Sequence, residues 1–546
     1  MARTVRLSRA SAVRGTVASL ALLATMSLMG CPRDGSADRP ARDDSRSPEG
    51  STAATSGKPS PAAPAPAPAP VARGVPQTVP AVRAYTARNG PGWRPAKGAR
   101  VVADEKGPLA DEARRLAADL RLPFAAAPAR PGDVELALRP GQSGGRESYE
   151  LATQDRKVLI TAPDEAGAFY GTRTVVQAVR TGGGLPEGVV RDGPDRPQRG
   201  LNLDVARKHF TGDWIERRLR EMADLKLNQL GLHFSDDQGF RIESSSHPEV
   251  VSPQHLTKAE LRRITDLATA LHITVVPEID SPGHLGAVMN AHPALKLRDA
   301  SGTVARGAVD VANPQSARIL DDLIREFAPL FPGPWFHLGS DEYRALMARD
   351  PQTSYPRLAE VARQKYGPKA RVQDLATGWL NDRAAVVRSL GKTPKAWNDG
   401  FFTGGVVTPD KSIEVEYWTG KEIGARQPQE YLNEGRTLVN LNDEYLYYVL
   451  GQPNQFVYPT GERIYRQWSP AVLRGTVPVP KGPTTPDRIP GGRLAVWCDL
   501  AHAQTPDQVA SGIRLPLAAV AQRLWDPRVP TLPWVDFTAL AGRVRR

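Results

Sequence analysis

Residues 199–234 read RGLNLDVARKHFTGDWIERRLREMADLKLNQLGLHF, and this stretch carries the pattern that decides the fold. Residues 200–205 are short and apolar like a buried strand, residues 213–225 have the apolar spacing of a helix, and residues 229–234 form a second apolar strand. A strand, a helix and another strand in this order are typical of a βαβ unit, which lays its two strands in parallel.

The same alternation continues along the chain. Further strands are predicted at 273–277, 335–339, 394–398, 413–418, 438–442 and 493–497, and further helices at 258–271, 314–331, 374–390 and 513–524. Eight strands alternating with helices predict an α/β fold, a (β/α)8 TIM barrel over residues 195–546. A doubly wound sheet is disfavoured because the chain has neither G-x-G-x-x-G nor G-x-x-x-x-G-K-[ST].

The chain before the barrel divides into two parts. Residues 32–80 are rich in Ser, Asp, Arg, Ala and Pro, and residues 61–70 read PAAPAPAPAP, which predicts a disordered, extended tether. Residues 81–194 show strand patterns at 100–103, 134–138 and 158–161 and helix patterns at 111–120 and 167–180. We therefore expect a small α/β domain there, without residues of obvious chemistry.

The bulk composition excludes several function classes. The formal net charge is +12, but residues 1–75 hold ten Lys/Arg and only five Asp/Glu, so the folded part is only mildly basic. Nucleic acid is therefore not a predicted partner. Cys31 and Cys498 are the two cysteines, too few for a zinc-binding cysteine cluster, and Cys498 is predicted to be a buried free thiol. Neither a cofactor nor a metal is predicted.

The N-terminus has the features of an export signal. Arg3, Arg6, Arg9 and Arg14 precede an apolar stretch at 16–29, which ends in the sequence LMGC at 28–31. This ending resembles the bacterial lipobox, so we expect residues 1–31 to be a lipoprotein signal peptide and Cys31 to carry the lipid. The protein would then be anchored to the outer face of a bacterial membrane; a plain secretory signal is the alternative.

Carboxylates and aromatic rings recur where the predicted barrel strands end. The residues at these ends are Asp204, Asp236, Asp280, His284, Asp341, Glu342, Trp397, Asp399, Trp418, Tyr445, Trp497 and Asp499. The C-terminal ends of barrel strands meet on one face, where barrel enzymes have their active sites. The pattern predicts a polar pocket with aromatic walls, which suits sugar rings.

Four segments resemble glycoside hydrolase family 20, the β-N-acetylhexosaminidases. They are RGLNLD at 199–204, HFSDDQGFR at 233–241, VPEIDSPGH at 276–284 and FHLGSDE at 336–342, with weaker matches in WND at 397–399, YLY at 445–447 and WCD at 497–499. The segments follow the order of the family, and the resemblance covers residues 81–540 or so.

The resemblance implies a retaining hydrolysis of terminal β-linked GlcNAc or GalNAc in which the substrate's 2-acetamido oxygen is the nucleophile. Glu342 would be the acid and base, Asp341 would orient the acetamido group, and Tyr445 would donate a hydrogen bond to its oxygen. The remaining binding residues would be Arg199, Asp236, His284, Trp397, Trp418, Trp497 and Asp499.

The residues themselves agree with such a mechanism. Asp341 and Glu342 are adjacent in sequence, so they are poorly placed to flank a glycosidic bond as paired catalytic carboxylates do. We also expect the charge of Asp341 to raise the pKa of Glu342, which would keep Glu342 protonated as an acid.

Two positions depart from the family pattern. The family often has an acid or amide two residues after its tyrosine, where this chain has Tyr447, and it often has Glu at the position of Asp499. In the family, the residues at both positions contact the outer hydroxyls of the terminal sugar. The preferred sugar and the choice between exo cleavage and disaccharide release therefore stay open, and Tyr-Leu-Tyr resembles the dispersin-like and lacto-N-biosidase-like branches.

Two other functions are compatible with the pattern. Asp236, Asp280, His284, Asp341 and Glu342 are possible ligands in a metal-dependent barrel hydrolase, although the His-x-His usual after the first strand of such barrels is absent. A lipid-anchored sugar-binding protein without catalysis is the second alternative, and the intact acid pair argues against it.

Overall fold

The computed structural model describes residues 74–421, 425–480 and 484–545. The predicted signal peptide, Cys31 and residues 32–73 of the predicted tether lie outside the described residues.

The N-terminal domain is a seven-stranded mixed sheet that packs against two helices. Its elements are β1 (Ala84–Ala87), β2 (Val101–Val102), α1 (Ala110–Leu120), β3 (Phe124–Ala125), β4 (Val134–Leu138), β5 (Tyr149–Gln154), β6 (Lys157–Ala162), α2 (Glu165–Gly182) and β7 (Gly188–Asp192). The strand order is β1-β7-β5-β6-β4-β2-β3. The predicted small α/β domain is therefore present.

The folded chain begins before the predicted end of the tether at residue 80. Val79 is fully buried, and its backbone N–H donates to the side chain of Gln177 on α2 at 2.7 Å. Gln177 returns a hydrogen bond to the carbonyl of Val79 at 2.9 Å. The predicted boundary at residue 80 was wrong. Composition shows only that this segment cannot form a core of its own, and its last residues pack instead against the core of the N-terminal domain.

Eight parallel strands close into a barrel. They are β8 (Gln198–Asp204), β9 (Gln229–Ser235), β10 (Thr274–Ile279), β13 (Trp335–His337), β14 (Thr393–Trp397), β15 (Glu414–Tyr417), β16 (Leu438–Asn440) and β18 (Gly491–Trp497). Pairing runs in this order, and β18 pairs with both β16 and β8, which closes the ring. The predicted TIM barrel and its eight strands are confirmed.

Helices and short strands surround the barrel or extend its loops. They are α3 (Gly212–Asp224), α4 (Lys258–Ala270), α5 (Gly286–Ala291), β11 (Lys296–Arg298), β12 (Val304–Val309), α6 (Pro314–Phe327), α7 (Arg344–Met347), α8 (Pro351–Ser354), α9 (Pro356–Tyr366), α10 (Val372–Ser389), α11 (Pro428–Asn433), α12 (Asp443–Leu446), β17 (Tyr447–Val449), α13 (Gly461–Gln467), α14 (Pro506–Trp525) and α15 (Trp534–Arg543). Among the described helices, none combines the length and apolar character needed to cross a membrane.

The sequence missed the elements inserted into the barrel loops. The β11–β12 hairpin and the helices α7 to α9 have short or mixed patterns, and they pack with α10 in a small core of their own. Strand β17 is three residues long and adds to the sheet beside β18 on the side of the pocket.

Arg199 lies at the floor of the barrel and not in the predicted pocket. It lies near the N-terminal end of β8 and is fully buried. Its guanidinium donates to Glu147 of the N-terminal domain at 2.9 Å and stacks over Trp525 at 5.4 Å. The predicted substrate contact was wrong because parallel barrel strands carry their binding residues at the opposite end; Arg199 joins the two domains.

Candidate active site

A cavity of about 170 Å³ opens at the C-terminal ends of the barrel strands. It is lined by Arg207, His233, Asp280, His284, Asp341, Glu342, Trp397, Trp418, Tyr447, Val449, Asn454, Phe456, Trp497 and Asp499. A larger cavity of about 790 Å³ lies at the barrel floor against the N-terminal domain. We place the site in the smaller cavity because carboxylates, two imidazoles and three indoles converge there.

A strained turn after β13 presents the acid pair. Gly339, Ser340 and Glu342 all have positive φ angles, of 68°, 78° and 42°. Such angles cost about 1–2 kcal/mol for a residue with a side chain. Gly339 is required, since a Cβ there would lie 1.6 Å from Oδ1 of Asp280.

Two further carboxyl groups hold this turn. The backbone N–H of Ser340 donates to Oδ1 of Asp280 at 2.9 Å, and that of Glu342 donates to Oδ2 of Asp399 at 3.1 Å. Asp280 and Asp399 lie after β10 and β14, the two strands that flank β13 in the barrel. The neighbouring strands therefore fix the orientation of Asp341 and Glu342.

Both holding carboxyls favour their neutral form. Burial and the charge of Asp341 raise the pKa of Asp280 and of Asp399 well above the usual value. Neither Oδ2 of Asp280 nor Oδ1 of Asp341 receives an N–H or O–H donor from the described residues. A proton on Asp280 is the donor that these two neighbouring carboxyls otherwise lack.

His284 connects the acid pair to the base of the pocket. Its Nδ1 lies 3.3 Å from Asp236, and its Nε2 lies 3.6 Å from Asp341 and 3.5 Å from Glu342. Burial opposes the charged imidazole, but the charges of Asp236 and Asp341 outweigh it and raise the pKa of His284 well above its usual value. The sequence prediction brought these four residues together correctly.

The pKa of Glu342 moves in the direction opposite to the prediction. Its interaction with protonated His284 lowers the pKa of Glu342 and outweighs burial, which acts in the other direction. The prediction considered only the neighbour in sequence, Asp341, and not the cation that the loop after β10 brings to the same carboxyl. Both pKa shifts favour the proton on His284 over Glu342 in the free site.

The tryptophans form the walls of the pocket. Trp397 is buried, and its indole N–H donates to Glu278 at 2.7 Å. Trp497 meets Trp397 at 5.8 Å between ring centroids. Trp418 stacks parallel to Tyr447 at 5.6 Å, and its indole N–H donates to Asp399 at 3.0 Å. The three predicted tryptophans therefore line one cavity.

Arg207 is the cation of the pocket that the sequence reading missed. It lies just after β8, with its guanidinium 3.0 Å from Asp204 and 2.8 Å from Asp236, over the ring of Trp497. It takes the place that was predicted for Arg199. The sequence contained the information needed to choose between the two arginines, because Arg207 follows the end of β8 whereas Arg199 lies at its start.

Tyr447, and not Tyr445, faces the cavity. Tyr445 is buried on α12 under the guanidinium of Arg463, and its hydroxyl lies 3.5 Å from the side chain of Gln467. Tyr447 begins β17, pairs with β18 and lines the pocket. The predicted tyrosine was therefore wrong by two positions, since the short strand β17 that sets the orientation has no pattern of its own.

The remaining predicted residue, Asp499, lines the exposed rim of the cavity. Cys498 beside it is a buried free thiol, as predicted, and its backbone N–H donates to Asp204 at 2.9 Å.

The geometry also bears on the metal alternative. Single ligand atoms of Asp280, His284 and Asp341 lie within 4.8 Å of one another. A metal would need the neutral imidazole, whereas the pKa of His284 is raised by the carboxylates around it. In the structure, the carboxylates of Asp236 and Asp341 are paired with His284.

Family models match both domains of the chain. The model described as glycosyl hydrolase family 20, catalytic domain, matches residues 197–528, and the model for domain 2 of the same family matches residues 75–193.

Characterised relatives and solved structures agree with these matches. A lacto-N-biosidase of Bifidobacterium bifidum is 30% identical over 85% of this chain, which spans 41% of that protein. A beta-hexosaminidase of Vibrio furnissii is 27% identical over 73% of this chain and 68% of its own length. A mutant Streptomyces plicatus beta-hexosaminidase in complex with GlcNAc is similar with a TM-score of 0.69 at 25% identity, over 87% of this chain and 95% of that one.

Proposed function

The chain belongs to glycoside hydrolase family 20, and from this premise we propose that it removes terminal β-linked N-acetylhexosamine from glycans. The observation that carries the proposal is the placement of Asp341 and Glu342 around one imidazole in a pocket with three tryptophan walls. A sugar with a 2-acetamido group has a partner for each of them: an N–H for Asp341, a glycosidic oxygen for Glu342 and a ring face for the indoles.

The first step uses the substrate's own acetamido oxygen. This oxygen attacks the anomeric carbon and forms a C–O bond while the glycosidic bond breaks. The one proton that His284 and Glu342 share passes through Glu342 to the leaving oxygen. Asp341 accepts the acetamido N–H, and its negative charge stabilises the cationic oxazolinium. Tyr447 donates its hydroxyl to the acetamido oxygen, the role first expected for Tyr445.

The second step restores the enzyme. Glu342, now a carboxylate, takes a proton from water as the water oxygen attacks the anomeric carbon and opens the oxazolinium ring. Each step inverts the anomeric carbon, so the product keeps the β configuration. Asp341 acts in both steps, and Asp280 and Asp399 support it by holding the turn.

The apolar residue Val449 bears on the choice of sugar. With Tyr447 as the family tyrosine, the position two residues later is Val449, which lines the pocket and offers no hydrogen bond where the family often has an acid or amide. A hydroxyl at that position gains little from the protein, which favours a substrate that carries a further sugar there. The similarity to a lacto-N-biosidase supports disaccharide release as a second candidate activity beside removal of a terminal N-acetylhexosamine.

Replacing Glu342 tests the enzyme against the sugar-binding alternative. Aryl β-glycosides of GlcNAc, of GalNAc and of a galactosyl-GlcNAc disaccharide are compared, and Glu342→Gln should lower kcat on the best of them by ~10²–10⁴-fold, the range for a positioned acid. Equal turnover by wild type and variant would end the proposal of catalysis.

A thiazoline mimic of the intermediate tests whether the substrate's acetamido group is the nucleophile. It should inhibit strongly, and weak inhibition would point to an enzyme nucleophile instead.

The two tyrosines provide a matched pair of variants. Tyr447→Phe should lower kcat by ~10²–10³-fold, as for loss of one hydrogen-bond donor to a developing charge. Tyr445→Phe should leave kcat close to the wild-type value because its hydroxyl meets Gln467 outside the pocket. The reverse ranking in steady-state assays would restore Tyr445 to the role that the sequence suggested.

His284→Asn tests where the catalytic proton resides. The pKa of His284 is raised and that of Glu342 is lowered, so the pair keeps one proton until His284 titrates. The alkaline limb of kcat/KM reports loss of that proton from the pair. Without the imidazole the proton rests on a carboxyl of lower pKa, so the limb should move to lower pH.

The control for this pH profile is His255→Asn, since His255 bonds to the carbonyl of Ser252 at 2.8 Å away from the acid pair. Its profile should match that of the wild type. An alkaline limb that stays in place or rises in His284→Asn would show that Glu342 holds its proton independently of His284.

We also propose that the protein is exported and lipid-anchored, on the basis of the sequence LMGC at 28–31. Metabolic labelling with palmitate in a bacterial host should label the wild-type chain and leave Cys31→Ser unlabelled. Equal labelling of both chains would assign the lipid to another residue, and no label in either would favour a plain secretory signal.

A further inference from the structure

A second convergence of metal-binding atoms lies outside the pocket. His247 Nδ1 and His292 Nε2 each lie 2.9 Å from the same atom, Oε1 of Glu249. One ligand atom of each of the three side chains lies within 4.8 Å of the others. From this geometry we propose that His247, Glu249 and His292 bind one Zn²⁺ ion.

The donor set is suited to this ion. Two imidazole nitrogens and one carboxylate oxygen are common zinc ligands, with M–N and M–O distances of about 2.0–2.2 Å. The nitrogen-to-oxygen separations of 2.9 Å are shorter by a few tenths of an ångström than the distance between ligands of a tetrahedral ion at these bond lengths, so small rotations of the side chains would admit the ion. The rings of His247 and His292 are nearly perpendicular, with centroids 6.0 Å apart.

Asp322 supplies a second observation that points to a metal. Nε2 of His247 is buried, has no hydrogen-bond partner among the described residues and lies 3.7 Å from the carboxylate of Asp322. In a neutral imidazole that donates from Nδ1 to Glu249, this Nε2 would be a bare acceptor facing a carboxylate. With Zn²⁺ on Nδ1, Nε2 carries the proton and faces Asp322, the arrangement that orients most metal-bound histidines.

The ligands sit on segments that the rest of the fold holds in place. The backbone N–H of His247 donates to Ser244 at 3.0 Å, and Ser244 in turn donates to Glu326 of α6 at 2.7 Å. His292 follows the last residue of α5, and its backbone N–H donates to Val288 at 3.2 Å. The site is therefore largely preformed.

The ion would join the two loops that build one side of the pocket. His247 and Glu249 lie in the loop between β9 and α4, which begins with Asp236. His292 lies in the loop after β10, which also carries Asp280 and His284. Zn²⁺ would therefore act as a structural link between these loops. This proposal does not depend on the reaction that the pocket catalyses.

Metal titration of the full chain, purified without a histidine tag and treated with a chelator, tests the site. One equivalent of Co²⁺ should bind and give visible d–d absorption, Zn²⁺ should displace it, and Zn²⁺ should raise the melting temperature. His247→Ala and His292→Ala should each weaken binding by ~100-fold or more, and Asp322→Asn by ~10-fold. Glu249→Gln keeps the size of the side chain and should also weaken binding.

Two controls keep the result unambiguous. His255→Ala lies in the same loop but outside the cluster, so its affinity should equal that of the wild type. Asp280→Asn removes a ligand from the acidic group in the pocket and should also leave the affinity unchanged. Absence of saturable binding, binding that survives His292→Ala, or binding that is lost in Asp280→Asn would each overturn the proposal; circular dichroism of the metal-free variants checks that they fold.

Discussion

The strained turn from Gly339 to Glu342 is the constraint on which the pocket depends. Three positive φ angles in four residues are unfavourable in isolation, and they persist because Asp280 and Asp399 accept backbone N–H groups from this turn. The neighbouring strands of the barrel supply both acceptors. The acid pair is thus oriented by the closure of the sheet, and a change in the register of β10 or β14 would displace it.

The polar interior of the barrel extends this support below the pocket. Glu278 accepts from Trp397 and lies 3.2 Å from His233 and 3.3 Å from His337. Its charge raises the pKa of His233 to about 10 against the effect of burial. Because each buried charge here has an opposite partner, the network avoids the penalty of an isolated ion. The remaining desolvation cost of the network is tolerated because the network fixes the tryptophan wall and, through Asp236, the imidazole of His284.

Much of the fold could be read from the sequence, and less of the site. Strands β8 and β9 are buried along their whole length and alternate with helices, so the sequence places them well. The motif segments also identified the acid pair and its imidazole. Arg199 and Tyr445 were misassigned because a motif gives residue types and order, while the position along a strand and the short strand β17 decide which side chain reaches the cavity. The pKa of Glu342 was predicted with the wrong sign because His284, which is distant in sequence, dominates its surroundings.

The charges of the free pocket explain why it suits a cationic intermediate. Asp236 is balanced by Arg207 and His284, and Asp280 and Asp399 favour their neutral forms. Asp341 shares His284 with Glu342, so two carboxylates compete for the charge of one imidazole. When the one proton of the His284–Glu342 pair moves to Glu342 at the start of the reaction, this competition ends. Once the proton has gone to the leaving group, Glu342 is again an anion, and a positive charge forming on the acetamido group beside Asp341 restores the balance. The site is therefore arranged to stabilise positive charge on the substrate at the moment when the protein gives up its own proton.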